Sequence, residues 1–235
     1  MKNKNAEQIV NKKKHRQALK LKRSAEPALK RGNATMVEKP TILIVCEGEN
    51  TEPSYFRQFK FSSATIKGEG CNTISLVRRA IKLSKENKYD QVWCVFDADP
   101  KPDNPQQEQN FNDAIKLADK NGFGVGYSNQ AFEYWLILHF DDHQGGAMNR
   151  NDYNSKINQL LKPFGIIYEG QNNKIITEEL FELLDGIDLK TKKQRMLLAI
   201  ARAEKNYNQL QHINPAKEES TTTVFKLVEE LLKYV

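Results

Sequence analysis

The chain has 235 residues, is 39% hydrophobic and 28% charged, and carries a formal net charge of +6. That length allows one cored domain plus an extension. It excludes a membrane-spanning helix, because no run approaches the roughly 18 apolar residues required, and a disulfide framework, because Cys46, Cys71 and Cys94 are scattered and form no CxxC pair.

The charge is uneven. Residues 1–31 hold eleven Lys and Arg, among them Lys12, Lys13, Lys14 and Arg16, against Glu7 and Glu26 alone; they carry +9 and leave −3 for the rest. Residues 1–38 therefore read as a basic N-terminal arm, disordered or helical, and residues 39–235 as the folded body. Such a block engages nucleic acid by neutralising phosphates, or is a solvated tail. The concentration of cations tilts the balance to the first. No apolar stretch follows the charged start, so no secretory signal is expected. Cys46 and Cys94 sit in apolar runs, where reduced, buried thiols are the ordinary outcome, and the expected compartment is the cytoplasm.

Pro40 stops any helix, and Thr41–Cys46 reads as a strand. Glu47–Thr51 is a turn. Glu52–Phe61 is a helix with Thr51 as N-cap, Pro53 in its first turn and Tyr55, Phe56 and Phe59 on one side. A short strand follows at Ala64–Lys67. An amphipathic helix starts at Asn72 and runs to about Lys88, with Ile74, Val77 and Ile81 inward. Gln91–Asp97 is the next strand. Pro100–Pro105 is a loop. Helix resumes over Gln106–Asn121, then a strand at Gly122–Ser128 and an apolar helix at Ala131–Phe140. Helices near 151–163, 177–184, 189–208 and 220–234 form a C-terminal elaboration packed on the sheet. Strands alternating with helices predict an α/β fold with a mostly parallel sheet and right-handed crossovers.

Two apolar strands end in acids: Ile42–Cys46 runs into Glu47, and Val92–Phe96 runs into Asp97-Ala98-Asp99. In open α/β sheets the functional crevice lies beyond the carboxyl ends of the strands. Side chains two apart on a strand point the same way, so Asp97 and Asp99 can converge on one ion, with Glu47 beside them if the strands are neighbours. Magnesium suits one or two carboxylates with retained waters and a phosphate, and manganese is the alternative. Glu47 would then serve as acid or base. Acids at strand ends also cap helices, and the paired motifs leave both readings standing.

Three segments together resemble a known family: Cys46-Glu47-Gly48-Glu49-Asn50-Thr51-Glu52-Pro53-Ser54-Tyr55-Phe56, Val92 to Asp99, and Ser128 to Phe140, followed by Asn214-Pro215 and Ser220-Thr221-Thr222. A Glu-Gly turn followed by strand–Asp-x-Asp is similar to the Toprim domain of topoisomerases, primases and OLD-type nucleases. In detail the chain resembles the RloB-like family of bacterial phage-defence proteins over roughly residues 40–235. The resemblance implies a Toprim-like sheet, a metal-dependent nuclease acting in abortive infection, and an ATPase encoded beside it. Host tRNA or other RNA is favoured over DNA as substrate. It maps Glu47 to the catalytic glutamate and Asp97 and Asp99 to the metal pair. No further carboxylate directly follows Asp99; Asp103 lies in the Pro-rich loop.

Other residues carry two readings each. Glu133, one charge in an apolar stretch, is an added metal ligand or acid–base group, or the partner of a Lys or Arg. His139, on roughly the same helix face, contacts phosphate or assists proton transfer, or is a hydrogen-bonded packing residue. Ser128 and Asn129 are positioned to cap the helix after them. Lys101 meets substrate phosphate or is a solvated loop cation. Lys192, Lys193, Arg195, Arg202 and Lys205 read as a solvated face before a nucleic-acid face. No Walker A sequence is present, so an ATP requirement falls to a partner. The rival to the nuclease is a catalytically silent sensor or nucleic-acid-binding module working with that ATPase. Nothing in the sequence selects an oligomeric state.

Overall fold

The computed structural model describes residues 39–99, 104–144, 146, 148, 150–168 and 174–235. Lys12, Lys13, Lys14, Arg16 and Lys101 lie outside the described residues. Lys39–Val235 packs as one unit.

A five-stranded sheet organises it: β1 (Ile42–Cys46), β2 (Ala64–Gly68), β3 (Gln91–Asp97), β4 (Gly124–Asn129) and β5 (Thr221–Thr222), in the order β2-β1-β3-β4-β5. The first four strands are parallel, with Ile42 opposite Ala64 and Gln91, and Trp93 opposite Gly124. β5 runs antiparallel to β4, Thr222 against Ser128. β1 lies inside the sheet between β2 and β3 and is wholly buried, as its unbroken apolar run requires of a strand covered on both faces. Among the described residues eight α-helices flank the sheet: α1 (Thr51–Arg57), α2 (Thr73–Glu86), α3 (Pro105–Lys120), α4 (Glu133–Leu138), α5 (Arg150–Leu161), α6 (Glu178–Asp185), α7 (Arg195–Asn208) and α8 (Val224–Leu232).

Strand alternation splits the core into two layers. Leu43, Val45, Cys94 and Phe96 face α2 and α3 through Leu76, Val77, Ala80, Phe111 and Ala114. Ile42, Ile44, Cys46 and Val95 face the larger layer, where Tyr55, Phe56, Trp135, Met196 and Val228 gather. The C-terminal helices α5 to α8 all contribute to that layer, so they extend this core instead of building another. Burying a Leu, Ile or Phe side chain contributes about 1.5–3 kcal/mol, so this layer dominates the stability of the body.

Several boundaries differ from the sequence reading. Thr51 is the first residue of α1, not its cap, and Asn50 at the cap position makes no side-chain capping bond. Asn72 does cap α2, its Oδ1 accepting from the Ser75 N–H at 3.1 Å. Helix was expected from 189, yet α7 begins at Arg195. Asp188 Oδ2 accepts from both the backbone N–H and the hydroxyl of Thr191 (2.7 and 2.8 Å), which holds the segment in a turn. Helix was expected from 220 as well, but Thr221 and Thr222 pair with β4. There Ser128 Oγ meets Thr222 Oγ1 at 3.0 Å, and Thr222 Oγ1 donates to the Tyr127 carbonyl at 2.9 Å. Ser128 and Asn129 consequently belong to β4 and cap nothing: Asn129 Nδ2 donates to the Pro215 and Ala216 carbonyls.

Candidate active site

The carboxyl ends of β1 and β3 lie side by side because those strands are neighbours in register, Cys46 opposite Val95. Past β1, the Glu47 N–H donates to the Val95 carbonyl at 2.8 Å and keeps the chain against β3 for one more residue. The side chain then turns back. Glu47 Oε2 accepts from the Asp97 N–H at 3.1 Å, and Glu47 Oε1 accepts from the Thr73 hydroxyl at 3.3 Å. Burial pushes the Glu47 carboxyl up to about 7, and the charges of Glu52 and Asp99 push the same way, against those two hydrogen bonds.

Asp97 ends β3. Asp99 is not in strand geometry: its φ is +36°, in the left-handed region, which Asp and Asn tolerate better than other side chains. Its N–H donates to the Gln130 carbonyl at 3.1 Å, and Gln107 Nε2 from α3 donates to its carbonyl. Both aspartates line one pocket of about 490 Å³ with Glu47. The turn at Asp99, rather than strand alternation, brings the second one there.

Glycines make room for further acids on the wall. A Cβ on Gly48 would lie 2.3 Å from Glu52 Oε2, and one on Gly70 (φ +58°) would lie 2.5 Å from Glu49 Oε1. Glu49 and Glu52 therefore rest against bare backbone, and both line the pocket. Gly68 allows the end of β2 to approach the Gly48–Glu49 backbone in the same way.

The opposite wall comes from α4. Glu133, only 3% exposed, lines the pocket; its Oε1 accepts from Lys174 Nζ at 2.7 Å and from the Tyr168 hydroxyl at 3.1 Å. Glu133 lines the pocket and is paired to a lysine, as the ion-pair reading of the sequence expects. Lys174 is the one cation on this wall among the described residues. His139 is elsewhere. It is buried in the large core layer, its Nδ1 3.0 Å from the Trp135 carbonyl and its ring edge-on to Tyr55 and Trp135. Burial lowers its pKa to about 3, so it is neutral at ordinary pH, and it does not line the pocket. The packing reading of His139 is the one that fits. Arg195, counted earlier with an exposed face, is likewise buried, its guanidinium 5.1 Å from the Phe164 ring centre.

The sequence reading missed Glu49, Glu52, Thr73, Cys71, Gln107 and Lys174. Glu49 and Glu52 stood within the first motif. Lys174 gave no signal, being 41 residues past Glu133 in a polar stretch. Cys71 lines the pocket, but burial and the charges of Glu69 and Glu47 raise its thiol pKa, so it stays protonated.

The donors of this pocket are hard carboxylate oxygens, the type magnesium and manganese take. Among the described residues no group of three or more His, Cys, Asp or Glu is arranged to enclose a metal. The donor set fits an ion held by one or two carboxylates that shares its shell with water and a phosphate. It does not fit an all-protein cage. No helix among the described residues is long and apolar enough to cross a membrane.

No curated protein and no solved structure matches the chain. The model of the family described as RloB-like protein matches residues 42–231, a span that runs from β1 into α8 and includes every pocket residue named above. The chain belongs to the RloB-like family.

Proposed function

We propose that this pocket hydrolyses phosphodiester bonds in nucleic acid, with RNA such as tRNA favoured over DNA, as a Toprim-type nuclease effector of anti-phage abortive infection in the cytoplasm. The observation that carries the reading is the meeting of Glu47 with Asp97 at the ends of two adjacent parallel strands, with the Glu47 carboxyl raised to about 7. A carboxyl of that pKa exchanges a proton readily at neutral pH.

Asp97 and Asp99, with Glu47 at the margin, would hold a Mg²⁺ ion (or Mn²⁺), whose chemistry is Lewis-acid stabilisation of charge at phosphorus. Glu47 takes the proton of the attacking water at its Oε atoms, helped by the Asp97 N–H, which fixes the carboxylate once it is charged, while the P–O bond to the leaving sugar oxygen breaks and a solvent water protonates that oxygen. Lys174 presents its ammonium to a non-bridging phosphate oxygen, and Glu133 positions that ammonium while Tyr168 holds Glu133. The basic arm adds affinity without choosing the target. A neighbouring ATPase supplies any nucleotide-driven control.

The test is cleavage of tRNA, mRNA, single-stranded and duplex DNA by purified protein in magnesium, manganese or chelator, with Asp97→Ala alongside. Metal-dependent cleavage lost in Asp97→Ala is the expected result, and the substrate that is cut defines the class. One observation favours a second reading: no metal-enclosing group of three acids exists among the described residues. A catalytically silent sensor coupled to the ATPase would bind nucleic acid or a phage component without cleaving, and Asp97→Ala would leave defence intact.

A further inference from the structure

The helices α2 and α3 both start at the pocket. Asn72, the cap of α2, and Gln107, in the first turns of α3, line it. From there the two helices pack along each other and leave a second groove of about 560 Å³ between them. Arg78 on α2 and Lys116 and Lys120 on α3 line this groove, with Ile74 and Leu117 as its apolar floor. On α3, Asn110, Asp113, Leu117 and Lys120 recur at helical spacing on one face, with Lys116 beside them, and the track from Asn110 to Lys120 extends about 15 Å at 1.5 Å per residue.

Charge sets this groove apart. Residues 32–235 carry −3 in total, yet α2 bears Arg78, Arg79, Lys82 and Lys85 against Glu86 alone. Arg79 is engaged by Glu69 at 3.0 Å. Elsewhere some lysines are matched by acids, Lys60 by Glu178, Lys156 by Asp141 and Lys205 by Asp142, whereas Lys190, Lys192 and Lys193 on the turn before α7 have no carboxylate within 4.0 Å among the described residues. Among the described residues Arg78, Lys82, Lys85 and Lys120 have no such carboxylate within 4.0 Å. The single acid in the groove, Asp113, is only 4.0 Å from Lys116. An acid-walled pocket thus stands at the N-terminal ends of the two helices whose flanks form the cation-lined groove, which is the charge order a polyanion needs if one of its phosphates is to enter the pocket.

We propose that the α2/α3 groove is the track for the sugar–phosphate backbone of a single nucleic-acid strand whose reacting phosphate lies in the Glu47 pocket. The inference rests on the nuclease reading for the pocket, and it adds where the strand runs. Arg78, Lys116 and Lys120 neutralise successive phosphates while Ile74 and Leu117 meet the sugars. The contacts are to backbone, so they carry no sequence preference.

The test uses full-length protein carrying Asp97→Asn to prevent cleavage, with and without the triple change Arg78→Gln, Lys116→Gln and Lys120→Gln. The substituted side chains are exposed, so the fold is retained, as a thermal melt checks. Binding is measured against salt for an RNA strand of about 16 nucleotides and one of about 4 nucleotides, the range a single-strand site covers. The expected result is a salt slope for the longer strand reduced by about 2, as three lost phosphate contacts require for a single strand. The shorter strand binds unchanged. A control with Lys190→Gln, Lys192→Gln and Lys193→Gln, on the turn before α7, leaves the slope unaltered. An unchanged slope in the Arg78 triple variant, alongside metal-dependent cleavage by the parent chain, overturns the groove and spares the nuclease. A reduced slope without cleavage of any substrate keeps the groove and removes the nuclease. A parent chain that binds no nucleic acid overturns both.

Discussion

The Asp97 N–H donates to Glu47 Oε2 at 3.1 Å, joining two acids fifty residues apart at the ends of neighbouring strands. That bond fixes the Glu47 carboxyl in a buried position, and burial is the largest cause of its rise to about 7. The first consequence is a pH dependence of stability. A carboxyl whose folded pKa exceeds its unfolded one contributes stability below about pH 4.5, and the contribution is lost as pH rises to about 7. In chelator, Glu47→Gln is expected to remove this loss. It should be more stable than the parent by about 1–3 kcal/mol at pH 8 and close to it at pH 4.5, by urea denaturation at both pH values. Parallel curves would contradict the placement of the raised pKa at Glu47. If Glu47 is the base, Glu47→Gln is inactive in magnesium, and parent activity climbs with pH through an inflection below about 7, because a bound cation favours the carboxylate.

Gly70 combines a φ of +58° with the Glu49 carboxylate at 2.5 Å from where a Cβ would stand. Gly70→Ala is therefore expected to cost about 1–2 kcal/mol and to displace Glu49 without deleting any functional group. Cleavage should fall with the melting temperature lowered by a few degrees. Gly122→Ala is the comparison: φ is +70° and nothing lies within 4 Å of a Cβ, so stability falls but activity at 25 °C does not.

Glu133 and Lys174 form an ion pair with one partner 3% exposed. Glu133→Ala removes the acceptor of two donors, Lys174 and the buried Tyr168 hydroxyl, and is expected to destabilise by about 3–5 kcal/mol. Lys174→Met keeps much of the stem's packing. Its expected signature is a fall in turnover of about tenfold or more. A Lys174→Met variant with parental turnover would show that the pair is only structural.

His139 is buried, neutral and packed on Trp135 and Tyr55. His139→Gln is expected to lower stability by about 1–3 kcal/mol while the pH–activity profile keeps its shape. A profile that loses an inflection near pH 6–7 would return His139 to the chemistry.

Neutralising Lys12, Lys13, Lys14 and Arg16 is expected to weaken nucleic-acid binding and flatten its salt dependence, with the melting temperature of the body unchanged. Equal slopes for parent and variant would leave the arm as a solvated tail.

The parallel sheet was legible because unbroken apolar runs such as Ile42–Cys46 admit few other structures. The strand-end acids Glu47 and Asp97 were legible because polarity changes abruptly there. β5 was not, since two threonines carry no periodicity and pair only because Ser128 and Tyr127 present partners to them.

The local order of polar and apolar residues by itself determined the α/β class, the helices around the sheet, the basic arm and the first carboxylates of the site. The tertiary structure alone decided which acids meet. It set β1 beside β3, turned Asp99 into the pocket through a positive φ, let Glu49 and Glu52 lie on glycines, and brought Lys174 back to Glu133. It also sent His139 into the core. Sequence patterns report how a segment packs against its own neighbours, whereas a site is made of contacts between segments far apart in the chain, and their geometry exists only once the sheet has closed them together.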